Sequence, residues 1–223
     1  MSSTRPCVRR SRLLILLLVA GWTLSGCTTW VQARAPRPPV PPNPATGGEP
    51  VAVDGTIEGL PEKLGFNTFT LFAIPIGRIR LDPKLATPLI IEGLEAALEG
   101  AGRSPVSAAD HPDAPRLVTR IRKMRFHSYR WPVVIVAWGR LELSIALVDA
   151  GGIECWQRTY EVRDHQASFG RVIENMVNGA LHEAVSRAAR DFASPEFGAA
   201  CQDARSASRS RGRADEHASW RSP

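Results

Sequence analysis

The pattern that most restricts the fold of this chain lies in residues 141–162. Apolar side chains alternate with other residues along its first half, as on a strand with one buried face, at Leu141, Leu143, Ile145 and Leu147. The letters DAGG follow at 149–152, and a second strand-like run extends from Ile153 to Val162. Two strands joined by glycines predict an antiparallel hairpin, which needs further elements to cover its apolar face.

Two further strands and two helices are predicted on either side of this hairpin. Aromatic and β-branched residues predict a strand at Phe66–Leu81. A strand at Arg116–Phe126 changes phase near Arg122–Lys123, which predicts a β-bulge there. Apolar residues at helical spacing predict helices at Pro88–Ala101 and Gly170–Phe192.

The predicted order is therefore β-α-β-β-β-α, which indicates an α+β fold. We expect a two-layer sandwich in which two helices cover one face of a mixed four-stranded sheet. The residues predicted for the other face are partly polar, so that face is expected to meet solvent.

The first 26 residues have the features of a secretory signal segment. Four arginines and no acidic residue precede an apolar run of about a dozen residues, which is shorter than the roughly 20 that span a bilayer. The segment ends with Leu24-Ser25-Gly26-Cys27, which resembles the lipobox of bacterial lipoproteins. An ordinary secreted protein that is cut near the same place is the alternative.

The resemblance implies that the Cys27 thiol receives a diacylglyceryl group, that the chain is cut before Cys27, and that the new amino group is acylated. Each buried methylene contributes about 0.8 kcal/mol, so two or three acyl chains hold a protein firmly on a membrane. Thr28 stands where lipoproteins of the inner membrane often have aspartate. We therefore expect a lipid anchor in the outer membrane, with the protein facing the periplasm.

Composition divides the rest of the chain into three parts. Residues 27–52 contain the lipidated cysteine and a proline-rich linker, with seven prolines between 33 and 50, which predicts a semi-rigid spacer. The α+β domain is expected at 53–193. Residues 194–223 are rich in Ser, Arg, Ala and Gly and are predicted to be a disordered tail.

Charge and cysteine content limit the function classes. The formal net charge is +6, but residues 1–26 carry four arginines, and residues 51–193 hold 17 basic and 17 acidic residues. This distribution does not indicate a nucleic-acid partner. Cys155 and Cys201 remain after export, and the oxidising envelope permits a disulfide between them. The alternative is a buried Cys155 and a Cys201 in the mobile tail. No cysteine or histidine spacing predicts a metal site.

Several segments together resemble small envelope lipoproteins of the YajG type. The likeness is carried by the helix IIEGLEAALEGAGRSPV, by RLVTRIRKMRF, and by LSIALVDAGGIECWQRTYEV before a C-terminal helix. The lipoprotein of the lipopolysaccharide-export machinery, LptE, is a weaker match. The proline spacer and the arginine-rich tail depart from the YajG pattern. The resemblance implies an envelope lipoprotein and transfers no catalytic residue.

The segment RWPVVIVAWG, residues 130–139, is the candidate contact site. It has no charged residue between its two tryptophans, and the residues singled out are Trp131, Val133, Val134, Ile135 and Trp138. The segment either begins the third strand, or docks on a partner, or enters a bilayer with its tryptophans at the headgroup level. The neighbouring run Phe69–Gly77 is a core strand or part of the same patch.

These observations predict a membrane-anchored, non-enzymatic envelope protein that binds another envelope component through its α+β domain. The alternative is an accessory subunit that handles lipid or lipopolysaccharide in an envelope transport assembly. No catalytic motif, cofactor site or small-molecule substrate is indicated by the sequence.

Overall fold

Three long antiparallel strands form the central part of the protein. The computed structural model describes residues 28–38, 48–69, 74–131, 133–169, 171–203 and 206, so Cys27, the signal segment and most of the predicted tail lie outside it. The long strands are β6 (Arg116–Arg130), β7 (Ile135–Val148) and β8 (Glu154–Ser168). They pair in chain order, which confirms the predicted hairpin.

The turn between β7 and β8 shows why Gly152 is needed. Gly152 has a φ of 82°, a conformation that glycine adopts without a steric penalty. The Asp149 side chain accepts a hydrogen bond of 2.7 Å from the backbone amide of Ile153. The register between β6 and β7 shifts between Ile121 and Lys123, which confirms the predicted bulge.

Five shorter strands complete one mixed sheet of eight strands within the described residues. They are β1 (Thr29–Val31), β2 (Pro50–Glu58), β3 (Lys63–Phe69), β4 (Ile74–Leu81) and β5 (Ser104–Ser107). The second edge of β6 is shared, because its first part pairs with β2 and its last three residues pair with β3, both parallel. β4 joins β3, β1 joins β4, and β5 joins β2.

The predicted α+β class is confirmed, whereas the four-stranded sheet is wrong. The predicted strand Phe66–Leu81 is two strands, β3 and β4, which pair as an antiparallel hairpin. β1, β2 and β5 are short or begin beside prolines, and their partners lie far away in the chain. Within the described residues, four strands therefore precede the first helix instead of one.

Two long helices pack against each other and against the sheet. Helix α1 (Pro83–Gly100) begins at Asp82, whose side chain accepts a hydrogen bond of 2.9 Å from the Lys84 amide. It starts five residues before the predicted position and contains Pro88 in its interior. Helix α2 (Val172–Phe192) matches its prediction to within two residues. The core lies between these helices and the inner face of the sheet, where Leu117, Leu141 and Leu143 are buried.

The first part of the predicted disordered tail is a helix. Helix α3, at 195–203, buries Phe197 and Cys201, which lie one helical turn apart. The Phe197 ring meets Trp156 edge-on at a centroid distance of 5.0 Å. The prediction failed here because two apolar side chains at the right spacing cover the end of the core, although the composition is polar.

The predicted spacer also departs from expectation, because residues 32–38 lie along the domain. We call them the N-terminal strap. The Arg34 amide donates a hydrogen bond of 2.8 Å to the Asn178 side chain, and Asn178 donates one of 3.0 Å to the Gln32 carbonyl. Pro36 and Pro38 are buried. Since β1 and the strap are part of the folded unit, the described part of the linker does not hold the domain away from residue 28.

Candidate functional site

The turn between β6 and β7 carries most of the predicted contact residues. Arg130 pairs with Ile135, and the Trp131 amide donates a hydrogen bond of 2.8 Å to the Val134 carbonyl, which closes the turn. Trp131 is 52% exposed and Val133 is 74% exposed. Val134 and Ile135 are half-buried, and Pro132 lies outside the described residues. Two large apolar side chains therefore project into solvent at one end of the sheet.

Phe169 joins this surface, although the sequence pattern does not predict it. Ser168 pairs with Ile135 at the start of β7, so Phe169 continues β8 beside Val134. Its side chain is 81% exposed, the highest exposure among the large apolar residues described. We call Trp131, Val133, Val134, Ile135 and Phe169 the apolar end of the sheet. The only feature of the sequence that could have indicated its exposure is the position of Phe169 in the short connection between a predicted strand and the start of α2.

The second tryptophan has a different environment from the first. Trp138 lies within β7, so the interpretation that this segment begins the third strand is correct from Ile135 onward. Its ring stacks on Tyr129 at 4.6 Å and is tilted against His127 at 6.0 Å. Burial lowers the pKa of His127, and the charge of Arg125 adds to this shift. Trp138 therefore lies on the outer face of the sheet, roughly 10 Å from the strand end at Ile135.

The run Phe69–Gly77 partly belongs to the same end. Phe69 pairs with Arg130 on one side and with Ile74 on the other. Its neighbours 70–73 lie outside the described residues. The β3–β4 hairpin therefore reaches the same end of the sheet as the β6–β7 turn.

A short chain of buried polar groups fixes the first strand beside the apolar end. Ser128 donates a hydrogen bond of 2.6 Å to the Asn67 side-chain oxygen. The Asn67 amide group donates one of 2.9 Å to the Thr29 hydroxyl. Asn67 and Ser128 are both buried, so these bonds form away from solvent. They connect β1, β3 and β6 at one level of the sheet.

A pocket of about 430 Å³ opens next to these groups. Its apolar lining comes from Trp30, Val31, Ile135, Val172 and Ile173. Its polar lining comes from Thr29, Gln32, Asn67, Ser128, Arg130, Arg171 and Glu174. The volume falls within the range of small-molecule pockets. A polar headgroup with a short apolar portion fits this mixture of side chains.

Positive charge accompanies the apolar end. Arg130 and Arg171 are exposed beside the turn and at the start of α2, respectively. Glu174 is nearby, and it forms an ion pair of 2.9 Å with Arg34. Residues 128–138 and 165–171 contain no acidic residue. The surroundings of the apolar end are therefore more positive than the neutral domain as a whole.

The direction of β1 shows where the chain enters the sheet. β3 runs parallel to β6 and toward the apolar end, and β4 runs back. β1 is parallel to β4, with Thr29 opposite Ile79 and Val31 opposite Leu81. The chain before Thr29 therefore enters the sheet from the side of the apolar end.

The two cysteines predicted to remain after export lie away from the apolar end. Cys155 is half-buried on β8, and Cys201 is buried in α3 instead of lying in a mobile tail. A disulfide between them stays a prediction. Over the described ranges, no cluster of three His, Cys, Asp or Glu side chains could hold a metal ion. No helix in the described part of the chain is both long and apolar enough to cross a membrane.

Comparisons with known proteins give distant structural similarities. No family model and no curated protein matches the chain. Protein XCC0632 from Xanthomonas campestris, of the family DUF330, is 12% identical and covers 79% of this chain and 97% of its own, with a TM-score of 0.46. A homolog of neuraminyllactose-binding hemagglutinin from Helicobacter pylori is 10% identical over 74% of this chain and 96% of its own, also with a TM-score of 0.46.

A minor lipoprotein from Acinetobacter baumannii is 12% identical and covers 73% of this chain and 94% of its own, with a TM-score of 0.33. These TM-scores are all below 0.5, so no conclusion about family or function follows from them. The likeness to the YajG type stays an expectation from the sequence.

Proposed function

We propose that this protein is a bacterial envelope lipoprotein whose α+β domain binds another envelope component through the apolar end. In this proposal acyl chains on Cys27 hold it in the outer membrane, facing the periplasm, and the domain is not an enzyme. The lipobox-like sequence Leu24–Cys27 supports the anchor. The exposed apolar end is the observation that supports the binding role.

The exposure of these side chains favours an interaction over a purely structural role. Trp131, Val133 and Phe169 are each more than half exposed and lie at one end of three strands. Fully burying a large apolar side chain contributes about 1.5–3 kcal/mol, so covering all three would drive association. Isolated exposed apolar residues are common, whereas three together at one strand end indicate a contact surface.

A photo-crosslinking amino acid at Val134 tests this function in intact bacteria. We expect an adduct with an envelope component and acylation of Cys27 in the mature protein, which mass spectrometry of the N-terminus measures. Replacing both Trp131 and Phe169 with Ser should remove the adduct and leave the domain folded, because both side chains are exposed at the apolar end. Ile153→Ser is the matched control, because Ile153 is 51% exposed in the turn at the opposite end of β7. An unchanged adduct in the double variant would contradict the binding role.

The pocket beside β1 favours a second candidate, an accessory subunit that handles lipid or lipopolysaccharide. Arg130 and Arg171 line it together with Ile135 and Ile173, which suits a charged headgroup joined to an acyl chain. Native mass spectrometry of the acylated protein in mild detergent tests this candidate. One further lipid should stay bound, and Arg171→Glu should reduce its retention. If the wild-type protein retains only its own anchor, this candidate is wrong.

A further inference from the structure

We infer that the component met by the apolar end is the bilayer that holds the protein's own acyl chains. This inference rests on the proposed function and names its partner: the headgroup region of an anionic phospholipid surface. The domain would stand end-on, with Trp131, Val133 and Phe169 at the membrane and the β7–β8 turn pointing away.

The short covalent connection between the anchor and the sheet is the first support. Cys27 is two residues before Thr29, so their Cα atoms can be at most about 7.6 Å apart. Thr29 pairs with Ile79, Ile79 pairs with Gly65, and Gly65 lies against Phe126, which is five residues before Trp131. Five residues of strand extend roughly 17 Å. Extended toward the turn, the two residues before Thr29 bring the anchor to within roughly 10 Å of the level of the turn.

The N-terminal strap removes the freedom that a spacer would give. Beyond β1 the chain crosses to α2, where Arg34 bonds to both Asn178 and Glu174. Val31 and Pro36 are buried against the domain. A domain attached in this way is held close to its acyl chains, and its apolar end faces the same direction.

The chemistry of this end matches a membrane interface. Trp side chains are favoured at the headgroup level, where an apolar body meets a polar surface. Arg130 and Arg171 lie beside the apolar side chains, and basic residues near a membrane are attracted by anionic headgroups. Residues 128–138 and 165–171 contain no acidic residue, and the nearby Glu174 is paired with Arg34 at 2.9 Å and with Arg171 at 3.9 Å, which reduces its repulsion from such a surface.

The long β7–β8 hairpin provides a control position that lies far from the apolar end. β7 has 14 residues, so the two ends of the strand lie roughly 45 Å apart. Ile153 is an exposed apolar residue at the far end, with an exposure close to that of Trp131. In the end-on orientation Ile153 is well beyond the reach of the bilayer that holds the anchor.

The test places a photo-crosslinking amino acid at Val133, Phe169 or Ile153 of the full chain, in bacteria whose phospholipids carry radioactive phosphate. All three side chains are exposed, so the probe is compatible with folding. We expect labelled phospholipid on the protein with probes at 133 and 169, and a complete loss of that label with the probe at 153. The N-terminus of each purified product is analysed by mass spectrometry.

The outcomes separate this inference from the proposed function. Protein adducts without lipid at 133 and 169 would overturn the inference and leave the binding role in place. Equal lipid labelling at 133 and 153 would overturn the end-on orientation. An unmodified Cys27 would overturn the proposed anchor, and no adduct of any kind at 133, 134 and 169 would overturn both proposals.

Discussion

The side-chain amide of Asn67 donates a hydrogen bond of 2.9 Å to the Thr29 hydroxyl across 38 residues of sequence. The Ser128 hydroxyl donates a hydrogen bond of 2.6 Å to the Asn67 side-chain oxygen. One buried amide therefore connects three strands. Three residues of β1 pair only with β4 among the described strands, which leaves this bond as a main link to the rest of the sheet. Together with the pairing to β4 and the burial of Val31, Asn67 therefore helps to fix the position of the first strand.

We expect Asn67→Ala to destabilise the domain by about 1–3 kcal/mol, because it leaves the buried Ser128 hydroxyl without its acceptor. Denaturant unfolding measures the loss, and hydrogen exchange at 29–31 should become faster. Asn175→Ala is the matched control, since Asn175 is exposed on α2. Equal stability of the two variants would show that the buried bonds contribute little.

The close contact between α1 and the strap gives a second prediction. A Cβ atom at Gly93 would lie 2.7 Å from Pro36 Cδ, which is closer than two carbon atoms allow. We expect Gly93→Ala to displace the strap and to make trypsin cleave after Arg34 roughly tenfold faster, since proteolysis follows the population of the open state. The rate of appearance of the cleaved chain measures this effect.

Gly179→Ala is the matched control for Gly93→Ala. Gly179 is in the interior of α2, and a Cβ atom added there would have no neighbour within 4 Å. The alanine should stabilise this helix by up to about 1 kcal/mol and should leave cleavage after Arg34 unchanged. Faster cleavage in both variants would show that general helix changes, and not the contact with Pro36, release the strap.

Local pattern predicted the parts of the fold whose partners are close in sequence. The β7–β8 hairpin, the bulge near Lys123 and helix α2 all follow from alternation, glycines or helical spacing within one segment. β1 could not be predicted in this way. Its residues, Thr29–Val31, become a strand only because β4 and Asn67 provide distant hydrogen-bond partners.

The candidate site was predicted in part for the same reason. Trp131 and Val133 are in a charge-free turn that the sequence displays directly. Phe169 joins them through strand pairing between β7 and β8, which depends on register across more than 30 residues. From the sequence, Trp138 was predicted to belong to the same contact site as Trp131. In the structure, Trp138 stacks on Tyr129 and lies on the outer face of the sheet.

Tyr160 gives a prediction about alkaline pH. Its hydroxyl donates a hydrogen bond of 2.9 Å to Asp191, and burial, followed by this bond and the Asp191 charge, raises its pKa well above the usual range. The folded state therefore keeps the proton that the unfolded state loses near pH 10. Stability should be complete below pH 10 and should fall as pH rises above it.

Tyr160→Phe should cost about 0.5–1.5 kcal/mol at pH 7, through loss of the hydrogen bond. Its stability should then depend less on pH between 9 and 11 than that of the wild-type protein, which urea unfolding at several pH values measures. The same alkaline slope in both proteins would assign the effect to another group.

His127 gives the corresponding prediction at acidic pH. Burial against its neighbours, with help from the Arg125 charge, lowers its pKa, so the folded state favours the neutral ring packed near Trp138. The unfolded state binds a proton near pH 6.5, earlier than the folded state does as the pH falls. Stability is therefore complete above about pH 6.5 and is lost below it, as the pH falls toward the folded-state pKa.

His127→Gln should flatten this acidic slope in unfolding experiments between pH 7 and 5, whereas His111→Gln, at an exposed position, should retain it. Tryptophan fluorescence should change over the same pH range in the wild-type protein, because the charged imidazole contacts an aromatic ring. A slope that survives in His127→Gln would show that the contact with Trp138 does not sense acid.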